Sequence, residues 1–210
     1  MIQRPEGVGC PMTLFGIGHG HELLDRFAGL TAPDRLEIET FAAAEDFLSR
    51  RAQQACTPGC LVLDVHLPGM SGLELQQALH DRSDRIPLIF VTTAAEVPTV
   101  VQAMQSGALD FIVAPLDEPH LQRQIRTALD SSCRQYAREM QQQAARRRIA
   151  KLSKREEQVF RLLAQGQNTK EIANRLGIAH PTVSKHRGNV FAKLEISNLM
   201  ELALLAQRAL

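Results

Sequence analysis

In the stretch "LVLDVHLPGMSG" (61–72) one carboxylate, Asp64, closes an apolar run, and a proline and two glycines follow at once. An ionised carboxylate at the end of a buried strand is costly unless something compensates it. Asp64 therefore reads either as the reactive acid of a site or as the cap of a turn. A second apolar run, "IPLIFVT" (86–92), ends in Thr92. His19, His21 and His66 fall on the loops after the first and third apolar runs, beside Asp64. Imidazoles with a carboxylate suit Zn²⁺ or another transition metal, not Mg²⁺; the alternative is solvated loop histidines. Cys56 and Cys60 offer a weaker metal or redox pairing, against plain packing in a loop and a strand.

These residues need elements to position them. "MTLFGI" (12–17), "LEIET" (36–40), "CLVLDV" (60–65), "IPLIFVT" (86–92) and "ALDFIV" (108–113) read as strands. Between and after them, "ELLDRFAGL" (22–30), "AAAEDFLSRRAQQ", "GLELQQALHDR", "VPTVVQAMQSG" and "DEPHLQRQIRTALDSS" have helical spacing. Continuous apolar runs suit strands buried on both faces. The alternation predicts an α/β fold over 1–130, a doubly wound, five-stranded parallel sheet of the flavodoxin-like kind. Ligands of such sheets sit at the carboxyl ends of the strands, where Asp64 and Thr92 fall.

Residues 131–150, "SSCRQYAREMQQQAARRRIA", lack Pro and Gly and read as a polar helical linker, either separate from the fifth helix or continuous with it. The Arg146-Arg147-Arg148 run in it is either a solvated face or a contact with phosphates. Residues 151–210 carry only helical signals and predict a small all-α domain of four helices. Ser153 with Glu156 makes a capping box, and Asn168 with Glu171 a similar start. Gly166 and Gly177 stop those two helices. After the turn "IAHP", "TVSKHRGNVFAKL" (182–194) is helical, and a last helix runs from about Asn198 to Arg208. Two short helices joined by a turn, the second basic, form a helix-turn-helix.

The net charge of +1 conceals a split. From Arg146 onward there are 13 Lys and Arg against 5 Asp and Glu, so +8; the residues before it hold 11 against 18, so −7. A basic second domain suggests a polyanionic partner. Four cysteines in 210 residues fit free thiols rather than a disulfide framework. Neither a signal peptide nor a membrane span is legible, so a cytoplasmic location is expected.

Both halves resemble a known family. "LVLDVHLPGMSGLEL" and "IPLIFVTTAAEVPTVVQAMQSGALDFI", in this strand–helix order, resemble the receiver domain of a two-component response regulator. "LSKREEQVFRLLAQGQNTKEIANRLGIAHPTVSKHRGNVFAKLEI" resembles a LuxR-type helix-turn-helix. The whole chain is similar to response regulators of the FixJ/NarL type. That resemblance implies that Asp64 is the phosphoacceptor position, and that Thr92 and Phe111 are switch positions. The family also uses two acids after the first strand, which hold Mg²⁺, and a Lys before the Pro that follows the fifth strand. Gly18 and His19 stand at the acidic positions and Ala114 at that of the Lys. A degenerate receiver is therefore expected, with its Mg²⁺ site lost and no cofactor.

On the helix after Pro181, Val183, Val190 and Leu194 should face the core. Ser184, Lys185, Gly188 and Asn189 should face outward, with Arg187 on the flank. Lys185 and Arg187 suit base or nearby phosphate contacts, and Thr182, Lys170 and Lys193 phosphates; Ser184 and Asn189 complete the DNA-facing set. Ala179 stands where a capping Ser is usual, and His180 is an alternative cap. The expected function is a sequence-specific regulator of transcription that binds double-stranded DNA as a homodimer and is not an enzyme. Its control would come from dimerisation, a ligand or a partner rather than phosphorylation. The alternatives are a conventional regulator phosphorylated on Asp64 by a histidine kinase, and a receiver-based protein-binding adaptor.

Overall fold

The structure, a computed structural model, describes residues 12–18, 36–53 and 57–209. The helix expected over 22–30, together with His19, His21 and Cys56, lies outside the described residues. The chain divides into two compact units, Met1–Ala137 and Arg138–Leu210.

In the first unit β1 (Met12–Ile17), β2 (Leu36–Phe41), β3 (Gly59–Leu63), β4 (Leu88–Thr92) and β5 (Asp110–Val113) form one sheet in the order β2-β1-β3-β4-β5. Every pairing is parallel. The helices described in this unit are α1 (Ala44–Gln53), α2 (Gly72–Asp81), α3 (Val97–Gln105) and the first part of α4 (Glu118–Ile149). Alternate strand residues point to opposite faces, and each face has its own core. Phe15, Ile17, Leu61, Leu63 and Phe90 pack with Phe47 of α1, Leu75 of α2 and Ala103 of α3. Leu14, Cys60, Val62, Ile89 and Ile112 pack with Leu121, Ile125 and Ala128 of α4. This two-sided burial is why the strands read as unbroken apolar runs. Cys60 is fully buried, and desolvation pushes its thiol well above the usual range. Burial thus disfavours the thiolate that a metal or redox site would require.

The turn after β3 is fixed by its glycines. Gly69 has φ +76°. A Cβ on Gly72 would lie 2.4 Å from the Asp64 carbonyl oxygen and 2.9 Å from the Phe90 ring, so no side chain fits there. α2 then starts on a capping box in which Ser71 and Glu74 bond reciprocally.

The second unit holds the end of α4 together with α5 (Lys154–Ala164), α6 (Thr169–Leu176), α7 (His180–Lys193) and α8 (Leu199–Ala209). Its core joins Val159, Phe160 and Leu163 of α5, Ile172 of α6, Val183 and Val190 of α7, Leu194, and Leu202 and Leu205 of α8. The stretch read as a linker is the second half of α4. Ala145, on that half, is 2% exposed and belongs to this second core. α7 begins at His180, two residues before the expected Thr182. Pro181 in its first turn costs no intrahelical bond, because the N–H groups there have no partner within the helix.

Candidate functional site

The first candidate lies at the carboxyl end of the sheet. Asp64 directly follows β3 and is 3% exposed. Its Oδ1 accepts from the His66 backbone N–H at 3.1 Å, the geometry of an Asp-closed turn. Ile17 pairs with Leu63, so Gly18 stands next to Asp64. Gly18 has φ +70°. A Cβ there would lie 3.7 Å from Asp64 Cβ and 2.6 Å from Leu67 Cδ2. The place where a β1-end side chain would project is thus filled by the Leu67 methyl. Thr92 ends β4, is buried, and donates its hydroxyl to the Ala94 carbonyl at 3.1 Å. The Ala114 N–H donates to the Thr92 carbonyl at 2.9 Å, so Ala114, itself exposed, adjoins this strand end. Phe111, half-buried on β5, packs its ring on Phe90 with centroids 5.5 Å apart.

Mg²⁺ takes near-octahedral oxygen coordination anchored by one or two carboxylates. Here Gly18 brings no oxygen from its side chain, Leu67 brings a methyl, and Asp64 already accepts from His66. Among the described residues of this strand end Asp64 is the carboxylate a Mg²⁺ ion would use, while Gly18 and Leu67 add no side-chain oxygen. Among the described residues no group of three or more His, Cys, Asp or Glu could hold a metal ion. His66 is exposed, and its companions His19 and His21 in the Zn²⁺ reading lie outside the described residues.

The second candidate is the exposed face of α7. Asn168 caps α6 with the reciprocal Glu171 bond, and Gly177 ends it in the left-handed conformation, φ 63°. The turn into α7 has Ala179 as its N-cap with no side-chain bond; His180 does not cap but bonds Thr169 Oγ1 through Nε2 at 2.9 Å. Val183, Val190 and Leu194 are fully buried, while Thr182, Ser184, Lys185, Arg187, Gly188 and Asn189 are all exposed. Lys170, on the first turn of α6, is exposed as well. The Arg187 guanidinium lies 5.3 Å from the centroid of the half-buried Phe191 ring, a cation–π contact that steadies a long side chain. Ser184 donates to the His180 carbonyl at 3.2 Å. His186 is half-buried.

Lys193 is placed differently from the other cations of α7. Its ammonium donates to Glu156 Oε2 at 2.6 Å. Two members of the arginine run have a role that neither sequence reading anticipated. Arg146 Nε donates to the Ala209 carbonyl at 3.2 Å, at the end of α8, and an Arg148 guanidinium nitrogen donates to the Leu194 carbonyl, at the end of α7. Both complete carbonyls that a helix C-terminus leaves without partners. Glu156 and Lys193 are 37 residues apart, so no local pattern signals their pairing.

A family model described as the response regulator receiver domain matches residues 22–126, and one described as bacterial regulatory proteins, luxR family, matches residues 150–206. The chain is 34% identical to the response regulator protein TmoT of Ectopseudomonas mendocina, over 93% of this chain and 88% of that one. It is 40% identical to the transcriptional regulatory protein FixJ of Azorhizobium caulinodans, over 70% of each. Among solved structures, that of the response regulator StyR aligns with a TM-score of 0.78 at 37% identity, covering 95% of this chain and 100% of that one.

Proposed function

Because the chain belongs to the response regulators that join a receiver domain to a LuxR-family DNA-binding domain, we propose that it is a sequence-specific regulator of transcription that binds double-stranded DNA as a homodimer without needing phosphorylation. One observation carries the DNA reading. α7 buries Val183 and Val190 completely and leaves Ser184, Lys185 and Asn189 on the side away from the core, with Thr182 and Arg187 exposed on its two flanks. A helix of that kind enters the major groove and reads base edges from its N-terminal half. Lys185 and Arg187 are the base-contacting candidates, and Lys170 and Thr182 the phosphate-contacting ones. Lys185, Arg187 and Lys170 supply charge that steers the domain to DNA.

The second half of the proposal rests on the strand-end pocket. Phosphoryl transfer depends on positioning and on positive charge around the equatorial oxygens. Gly18, Leu67 and Ala114 supply neither. Asp64 and Thr92 stand at the ends of β3 and β4 without the groups that would make the acid reactive. Control then falls to dimerisation, a ligand or a partner protein. The test is selection of random duplexes by the full-length chain, followed by fluorescence anisotropy on the selected sequence. Recovery of a two-fold symmetric site bound by two chains supports the reading. Recovery of no preferred sequence contradicts it.

A further inference from the structure

Lys193 and Arg148 both look, by residue type, like cations for DNA phosphates, yet their polar ends are directed at protein. The Glu156 side chain is 5% exposed, and its Oε2 accepts from two donors, the Ser153 N–H at 2.8 Å and the Lys193 ammonium at 2.6 Å. A carboxylate buried to that degree needs its cation, because an unpaired buried charge is costly. The two hydrogen bonds hold its carboxyl down at about 2. The Lys193 side chain is 44% exposed, but its charge is engaged. One residue further on, the Leu194 carbonyl accepts from Arg148. The end of α7 is therefore bonded twice, by Arg148 of α4 at the Leu194 carbonyl and by Glu156 of α5 at Lys193.

That end lies about 12 Å along the helix axis from Lys185, at about 1.5 Å per residue. A tilt of roughly 5° about the C-terminal end of α7 would move the Lys185 turn by about 1 Å, enough to spoil a base contact. We propose that Glu156 and Lys193, with Arg148 at the same helix end, are positioning residues that set how α7 is presented to DNA and do not themselves touch it. This inference rests on the DNA-binding reading above. It assigns to Lys193 a role other than phosphate contact.

The experiment measures binding of the full chain to a duplex it has selected and to a scrambled duplex, across a series of salt concentrations. The variants are Glu156→Gln, Lys193→Met, Lys193→Arg, the Glu156→Gln/Lys193→Met double, and Arg187→Ala as a direct-contact control. Circular dichroism fixes a temperature at which each is folded. Glu156→Gln and Lys193→Met should each weaken specific binding about tenfold, the double should lose no more than the worse single, and Lys193→Arg should recover most of the affinity. Scrambled-duplex affinity and the salt slope should stay at the wild-type values. A loss from Lys193→Met alone, with the slope reduced by about one, would make Lys193 a phosphate contact and overturn the inference. Wild-type affinity in the folded variants would reduce the pair to a stabilising role and overturn it too. If wild type selects no sequence, the DNA-binding reading fails and this inference with it. If wild type and Arg187→Ala behave as expected while the Glu156 and Lys193 variants do not, only this inference fails.

Discussion

Gly18 and Asp64 stand side by side at the ends of β1 and β3, and the Leu67 side chain fills the space a side chain on Gly18 would need: a Cβ there would lie 2.6 Å from Leu67 Cδ2. Gly18 also holds φ +70°, which L side chains rarely adopt. The backbone thus resists an acid at this position, and the Leu67 methyl, the end of a flexible side chain, has to swing aside to admit one. Gly18→Asp should destabilise the receiver by about 1–3 kcal/mol, and Leu67→Ala should relieve part of that cost in the double variant. Thermal or urea unfolding of the three variants measures this. A Gly18→Asp protein as stable as wild type would mean that the pocket is open to an acid after all.

The same pocket should hold phosphoryl analogues poorly. Beryllofluoride with Mg²⁺ should give no saturable binding to the full chain in calorimetry. Tight, Mg²⁺-dependent binding would contradict the proposed loss of the site.

Glu156 gives a pH dependence with a definite sign. Its carboxyl is lowered from 4.5 to about 2 in the folded protein, first by the Lys193 hydrogen bond and then by the Ser153 N–H. A lowered acid stabilises the folded state above its unfolded pKa, and that contribution is lost as pH falls through the folded one. The melting temperature of the fragment 138–210 should therefore drop between about pH 4.5 and pH 2, and Glu156→Gln should flatten that part of the curve. An identical profile in Glu156→Gln would remove Glu156 from this account.

Gly188 lies mid-helix on the exposed face of α7, and a Cβ built there meets no atom within 4 Å. Neither the backbone nor the described neighbours require a glycine at this position. Gly188→Ala should stabilise the domain by up to about 1 kcal/mol, the difference in helix propensity. A chemical denaturation curve decides, and a loss of stability would show a constraint on this residue that the packing does not contain.

How far the sequence could be read depended on whether a feature was local. Short continuous apolar runs and capping boxes lie within a few residues of each other, so the sheet strands and the α5 and α6 starts at Ser153 and Asn168 were legible. The core face of α7, Val183, Val190 and Leu194, followed from helical spacing alone. The start of α7 was missed by two residues because Pro181 looks like a boundary although it is tolerated in a first turn. That residues 131–150 could continue the fifth helix was legible from the lack of Pro and Gly, but the docking of their end on the second core was not, because a run of polar residues shows no apolar stripe and Ala145 and Ile149 join that core singly. The roles of Arg146, Arg148 and Lys193 were illegible because their partners, Ala209, Leu194 and Glu156, are distant in sequence. A cation that caps a helix has the same letter as one that meets a phosphate.

The exposed face of α7 makes a direct claim about single residues. Lys185→Ala and Arg187→Ala should each cost about 1–3 kcal/mol of binding to a selected duplex if the contact is bidentate to guanine, and should relax preference at one base position. Anisotropy against duplexes with single-base changes reads both effects. Silent variants would displace the recognition face from this side of α7.

The measurement that bears most directly on the whole account is the affinity of the full chain for its selected duplex, with and without acetyl phosphate and Mg²⁺, in wild type and Asp64→Ala. The account predicts one affinity in all four conditions, with two chains bound per site. Binding that appears only with the phosphodonor, and disappears in Asp64→Ala, would contradict it.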